Sequence, residues 1–216
     1  MDGGLLEILG SEAPRWRQRM RRRRFNRGTV IFHEGDVGDT LHVIDKGRVL
    51  IEVTTARGDA AALSVRGPGE ILGEMAILGD GRRTARVTTL ERTETLSLSY
   101  EALEELRAED PRVDHYLLEL LAFKLQETTA QLVEVLFVSV DKRVLRVVER
   151  LADAFDDGGD DPVVVRVRQE DIAAMAGTRR QTANRPLKAA EAAGAIAVRR
   201  SRVEILDRDT LAKLAS

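Results

Sequence analysis

The sequence predicts an α+β chain: an N-terminal β jelly roll, one long helix, and a C-terminal winged helix-turn-helix. Three observations carry this. Glycines recur at 28, 35, 38, 47, 58, 67, 69, 73, 79 and 81 between short alternating or β-branched stretches, the mark of an all-β sandwich, jelly roll or barrel. No glycine follows until Gly158, and within that gap apolar residues fall at helical spacing. Further on, a short helical stretch, Gly177 and an arginine-rich second helix succeed one another, the helix-turn-helix pattern. The expected limits are 1–110 for the β domain, 111–141 for the long helix and 142–216 for the last domain.

Composition bounds the function. The 216 residues are 43% hydrophobic and 32% charged, enough for real cores and unlike a disordered chain. The absence of cysteine excludes disulfides, thiolate zinc sites, cysteine-ligated iron–sulfur clusters and cysteine nucleophiles. His33, His42 and His115 are scattered, so no metal is expected. No apolar run approaches ~18 residues and the N-terminus lacks a signal pattern. The expectation is a soluble cytoplasmic protein without a membrane partner. No nucleophile or acid–base constellation stands out, so no enzymatic activity is expected.

Each element follows in order. Eight arginines fall within residues 15–27; they read as a solvated face ahead of the β domain or as a nucleic-acid contact. Strands are expected at 29–32, 41–44, 48–53, 61–65, 85–89 and 94–98, with hairpin turns at Lys46-Gly47 and Arg57-Gly58-Asp59. A helix is expected over 112–140. On it Leu118, Leu121, Leu125, Thr128, Leu132, Val135 and Ser139 are spaced 3-4-3-4-3-4, a heptad seam. Such a helix runs on the order of 45 Å. It either pairs with a second copy or packs on its own sheet; the polar residues late in a leucine-rich stripe favour pairing. Asp141 reads as the N-cap of a helix over 142–155. An acidic loop over 156–162, a strand over 163–167 and helices from 169 and from Thr178 or Arg179 come next. A hairpin over 196–198 and 202–206 and a helix over 209–214 close the chain.

Net charge is −2, yet residues 142–216 hold 15 basic against 12 acidic residues and the remainder 19 against 24. Within 177–202 seven basic residues face the single acid Glu191, a local footprint for nucleic acid. Thr178 is expected to cap the second helix, with Arg179, Arg180, Gln181, Asn184 and Arg185 where base edges are read and Lys188 one turn on. Arginine reads guanine, and glutamine or asparagine reads adenine. Arg199, Arg200 and Arg202 read as a wing gripping phosphates. The bland reading is an arginine-rich solvated helix pair. Pro186 breaks the pattern: it is expected to kink the helix near Thr182 or restart it with Asn184 as a cap.

Residues 68–85 stop alternating. A short helix could open at Glu74, and Arg83 with the Thr84 hydroxyl could cradle a phosphate while Glu74 accepts from a sugar hydroxyl. Taken alone, the signal is weak, because a loop with a glutamate and an arginine is usually solvated.

From about residue 25 to 206 the chain resembles the bacterial cyclic-AMP receptor protein and fumarate–nitrate regulator (Crp/Fnr) family of transcription regulators. Gly73-Glu74-Met75-Ala76 followed by Arg83-Thr84-Ala85 is similar to its phosphate-binding cassette. The resemblance implies that Arg83 and Thr84 bind the cyclic phosphate, with Arg82 as the fallback, and that Glu74 and the Gly73 backbone bind the ribose. It implies that Thr128 and Thr129 contact the adenine; the lesser alternative for Thr128 is a polar residue that only sets dimer register. The iron–sulfur and haem branches of the family use cysteine ligands, so cyclic AMP is the expected effector. Arg83-Thr84 also resembles cyclic-GMP-dependent kinase pockets, which keeps cyclic GMP open. The implied partners are a second copy, a palindromic double-stranded DNA operator and RNA polymerase. The rival readings are an effector-independent DNA-binding regulator and a cyclic-nucleotide signalling protein that does not read DNA.

Overall fold

Leu41 and Val43 point to one side of their strand and Ile44 to the other, and this period-2 alternation sets the layers of the first half of the chain. The computed structural model describes residues 5–56, 58–159 and 162–216; of the expected turn and acidic loop, Arg57, Asp160 and Asp161 lie outside the described residues. The chain divides into two units, residues 1–54 with 66–128 and residues 55–65 with 129–216.

In chain order the first elements are α1 (Leu5–Ile8), α2 (Ala13–Arg19), β1 (Arg21–Phe25), β2 (Val30–Phe32), β3 (Thr40–Lys46), β4 (Val49–Thr54) and β5 (Ala60–Arg66). β6 (Ile71–Leu72), α3 (Glu74–Leu78), β7 (Arg86–Thr89), β8 (Thr93–Ser99), α4 (Tyr100–Glu109) and α5 (Arg112–Phe137) follow. One antiparallel sheet has the order β1-β8-β3-β6. In the other, β7 pairs with both β2 and β4. Ile44, Val49, Leu72 and Val87 form one apolar cluster with Ile31, Phe32 and Ile51. The opposite side of β3 and β8 joins a larger core with Trp16, Leu103, Leu106, Val113, Tyr116 and Leu120 from the helices. The expected jelly-roll texture is therefore observed, with two strands added.

β1 is one of them. The 15–27 run folds into α2 and an edge strand, and most of its arginines meet carboxylates of the same unit. Arg17 and Arg22 pair with Asp45, Arg22 and Arg24 with Glu94, Arg15 with Glu109 and Arg19 with Glu105.

The second unit contains α6 (Val140–Phe155), β9 (Val164–Val165), α7 (Gln169–Met175), α8 (Arg180–Ala192), β10 (Ile196–Arg199), β11 (Arg202–Ile205) and α9 (Arg208–Ala215). Val144, Val148, Leu151 and Phe155 recur at 3–4-residue spacing and are buried. β10-β11-β9 form a small antiparallel sheet. The structure corrects two expectations here and removes one of the two readings of Pro186. α5 ends at Phe137, so Ser139 lies off the helix and is the N-cap residue of α6 in place of Asp141. Buried Arg143 explains the stop: its Nη1 donates to the Val135 and Val138 carbonyls at 3.1 and 3.0 Å, supplying donors a helix end lacks. α8 runs unbroken through buried Pro186, with no restart at Asn184.

Candidate functional site

Arg83 is the centre of the first unit's polar interior. It is 4% exposed. Nη2 donates to Thr40 Oγ1 at 2.9 Å and Nη1 to the Gly73 carbonyl at 3.2 Å. The guanidinium lies over the Phe32 ring at 4.2 Å, and Nε is buried without a hydrogen-bond partner. No ion pair to a carboxylate neutralises it among the described residues. Burial pushes its pKa down, opposed by the more distant carboxylates of Asp39, Glu74 and Asp36. Burying a cation this way costs several kcal/mol, on the order of the penalty for any unpaired interior ion. An anion supplied from outside would complete the site.

The backbone leaves room for that side chain only because two residues lack Cβ atoms. Gly73 has φ +85°, and a Cβ there would sit 2.0 Å from Arg83 Nη1. At Gly38 a Cβ would meet Ala76 Cβ at 2.3 Å and Arg83 Nε at 3.2 Å. Glu74 opens α3 and is 3% exposed. Its Oε1 accepts from Lys124 Nζ of α5 at 2.5 Å. The Lys124 carbonyl in turn accepts from Thr128 Oγ1 at 2.8 Å.

The structure thus brings Gly73, Glu74, Ala76 and Arg83 together; Thr128 is exposed, its hydroxyl bonded back to the Lys124 carbonyl one turn earlier on its own helix. Met75, Thr84 and Thr129 are exposed. Arg82 is exposed too, donating to the Gly35 carbonyl, so Arg83 and not the fallback occupies the interior. Sequence reasoning missed Lys124, Thr40, Phe32 and Gly38. A cavity of about 410 Å³ opens beside the same helix, lined by Ile71, Leu120, Phe123 and Lys124 with Arg66, Glu70 and Glu127. Tyr116 lines it as well, and burial raises its phenol to about 12.

His42 packs near Phe32 with ring centroids 6.2 Å apart, its Nδ1 3.1 Å from Thr95 Oγ1. Burial lowers its pKa to about 4, with the fields of Arg83 and Arg23 adding to the effect.

In the second unit, Ile172, Ala173 and Ala183 are buried where α7 and α8 meet. Opposite them Arg180, Gln181, Asn184, Arg185 and Lys188 are exposed, as expected for one helix face. Thr178 does not cap α8: the N-cap residue is Arg179, in extended conformation and without a side-chain acceptor. β10 and β11 form the expected wing, with Arg199 paired to Arg202 in register. The Val198 amide donates to Glu191 Oε1 at 2.8 Å, fastening the wing to α8. The cations divide into two sets. Arg179, Arg180, Lys188 and Arg200 have no carboxylate partner among the described residues. Arg185 pairs with Asp141, Arg199 with Glu191 and Arg202 with Glu204.

Among the described residues no helix is long and apolar enough to cross a membrane, and no cluster of acidic or histidine side chains suits a metal.

Comparison with known proteins gives concordant results. The cyclic nucleotide-binding domain family matches residues 22–110, and the Crp-like helix-turn-helix domain family matches residues 142–214. A CRP-like cAMP-activated global transcriptional regulator of Mycobacterium tuberculosis is 33% identical, over 88% of this chain and 86% of its own. The cyclic AMP receptor protein of Thermus thermophilus is also 33% identical, over 90% and 88%. Among solved structures, the Thermus thermophilus catabolite activator protein aligns at a TM-score of 0.54 and 31% identity over 95% of this chain and 94% of that one. The c-di-GMP responsive global regulator CLP of Xanthomonas campestris aligns at a TM-score of 0.75 and 26% identity, over 90% and 98%.

Proposed function

The chain belongs to the Crp/Fnr family of transcription regulators, with a cyclic nucleotide-binding domain and a Crp-like helix-turn-helix. From that premise we propose that it is a homodimeric cytoplasmic regulator, not a catalyst, that responds to cyclic AMP and reads a palindromic operator in double-stranded DNA. RNA polymerase is its proposed downstream partner.

The observation that carries the effector reading is the buried Arg83 guanidinium with an unpartnered Nε and, among the described residues, no carboxylate in ion-pair contact. A cyclic phosphate supplies the missing charge, and Glu74, buried nearby, suits a ribose hydroxyl. Thr84, Gly73 and the exposed Thr128 and Thr129 are the further proposed contacts. Dimerisation is supported by the apolar stripe on α5, where Leu118, Leu125 and Leu132 are 66%, 68% and 57% exposed. A soluble monomer rarely leaves such a continuous seam in water. Two copies would present their α8 helices to major grooves about 34 Å apart.

Calorimetric titration with cyclic AMP and cyclic GMP tests the pocket. Arg83→Ala is expected to weaken binding at least ~30-fold, because it removes one partner of a desolvated contact worth ~2–5 kcal/mol, and Glu74→Ala to weaken it less, because the ribose contact there replaces the existing Lys124 pair. Wild-type affinity in both variants would overturn the pocket. Tighter binding of cyclic GMP would replace the named effector and would be consistent with the exposed Thr84 hydroxyl beside Arg83.

A further inference from the structure

We propose that Asp141 is a positioning residue that sets DNA sequence specificity, by tethering Arg185 through one terminal nitrogen so that its remaining donors meet base edges in preference to phosphates. The inference rests on the DNA-reading function proposed above and names a residue outside α8 that governs it.

Both Asp141 oxygens accept from the same Arg185 nitrogen, Nη2, at 2.8 and 2.7 Å. Nε and Nη1 are left free of the tether. The two residues lie 44 positions apart in sequence, Asp141 in the first turn of α6 and Arg185 on the exposed face of α8. The contact therefore fixes a long, flexible side chain against a separate element. It is selective: Arg179, Arg180 and Lys188, the other cations at this end of the helix, have no such partner among the described residues.

An untethered arginine on a DNA-facing helix has the phosphate backbone as its strongest target, and that interaction carries no sequence information. A carboxylate holding one edge of the guanidinium satisfies part of its charge locally and repels phosphates. The free Nε–H and Nη1–H lie on opposite sides of the guanidinium, so each is left to donate singly to a base acceptor such as guanine O6 or N7. Arg185 and Asp141 side chains are 77% and 41% exposed, so the pair adds little to folding, and removing it should leave the domain intact.

The test uses a duplex enriched from a randomised library by the full-length wild-type protein with cyclic AMP, against a random-sequence duplex of equal length at fixed salt. Asp141→Asn is expected to bind random DNA more tightly, to steepen the salt dependence by about one ion, and to lose about two- to five-fold in the selected-to-random ratio, the most an exposed ion pair supplies. Asp141→Glu should recover part of that ratio. In an Arg185→Ala background Asp141→Asn should leave the ratio unchanged, since the tether then has nothing to hold. A ratio equal to wild type in Asp141→Asn, or an equal loss in the Arg185→Ala background, overturns the tether while leaving DNA reading standing. A wild type that enriches no duplex overturns the DNA-reading function and this inference with it.

Discussion

Arg143→Met removes a guanidinium that is 8% exposed while keeping most of its apolar stem. In the wild type, Nη1 serves the Val135 and Val138 carbonyls at the end of α5, and Nε serves the Ala176 carbonyl at the end of α7, at 3.0 Å. Hydrogen bonds from a charged donor contribute ~1.5–3 kcal/mol each. Three sharing one head group do not add fully, and the methionine retains packing, so the expected loss is about 3–4 kcal/mol. For a unit of this size ~1 kcal/mol moves the melting temperature by ~4–8 °C, which makes the expected fall on the order of 15 °C. Differential scanning calorimetry of the full chain reads it. DNA affinity below the transition should also fall, because Ala176 precedes the turn into α8. A melting temperature within about 3 °C of wild type would mean the three carbonyls find water readily, and would refute the clamp.

Gly73→Ala should abolish cyclic-nucleotide binding, because its Cβ would overlap Arg83 Nη1 at a backbone φ of +85°; a calorimetric isotherm like wild type would refute this. His42 carries a pKa lowered to about 4, so the unfolded chain takes up its proton first as pH falls. Its contribution is present above pH ~6.5 and is lost between ~6.5 and ~4, by up to about 3 kcal/mol. His42→Gln should flatten that acid limb in urea titrations, and an identical pH slope would count against the assignment. Pro186→Ile returns a donor to the Thr182 carbonyl and should raise the melting temperature by several degrees; an unchanged value would mean the proline sits without strain. Lys124→Met should shrink the gain in operator affinity caused by cyclic AMP, measured by fluorescence anisotropy, and a gain equal to wild type would remove Lys124 from the coupling.

Glycine punctuation and alternation made the strands at 40–46, 49–54, 60–66, 86–89 and 93–99 legible to within about two residues. β1 was not, because four consecutive arginines carry no alternation of hydrophobicity; what makes them a strand is the pairing of Arg21 to Phe25 with β8, some seventy residues away. β6 has two residues and no pattern to read. α5 was legible from its stripe, but its end was set by Arg143, whose role depends on carbonyls brought to it by the fold. The same distinction runs through the site. Glu74 and Arg83 were legible because they lie close in sequence, in a short stretch that resembles a known phosphate-binding cassette; the local pattern alone was weak. Lys124 is fifty residues from Glu74, and nothing local marks it. Thr178 failed as a cap because the turn carried the chain one residue further before α8 began.

Placing Lys124 on Glu74 bears on how a nucleotide could act through α5. On the proposed function, the phosphate meets Arg83, which needs an anion, and a ribose hydroxyl meets Glu74, which already has a cation. The first contact relieves an uncompensated buried charge, and the second competes with an existing pair. Affinity can therefore come largely from Arg83, while the effect on the helix comes from Glu74. Lys124 is one-quarter exposed in that pair, so water offsets much of what it loses on release, and the exchange is worth about 1–2 kcal/mol. A ligand shifts a conformational equilibrium only by its differential affinity for the two states. One such contact per subunit supplies a shift of roughly ten-fold, short of the ~10⁴ needed for an all-or-none switch. On the proposed dimer, two equivalent contacts on a shared pair of α5 helices would multiply to about a hundred-fold, so a seam joining two copies would also be what makes a weak exchange at Glu74 large enough to regulate.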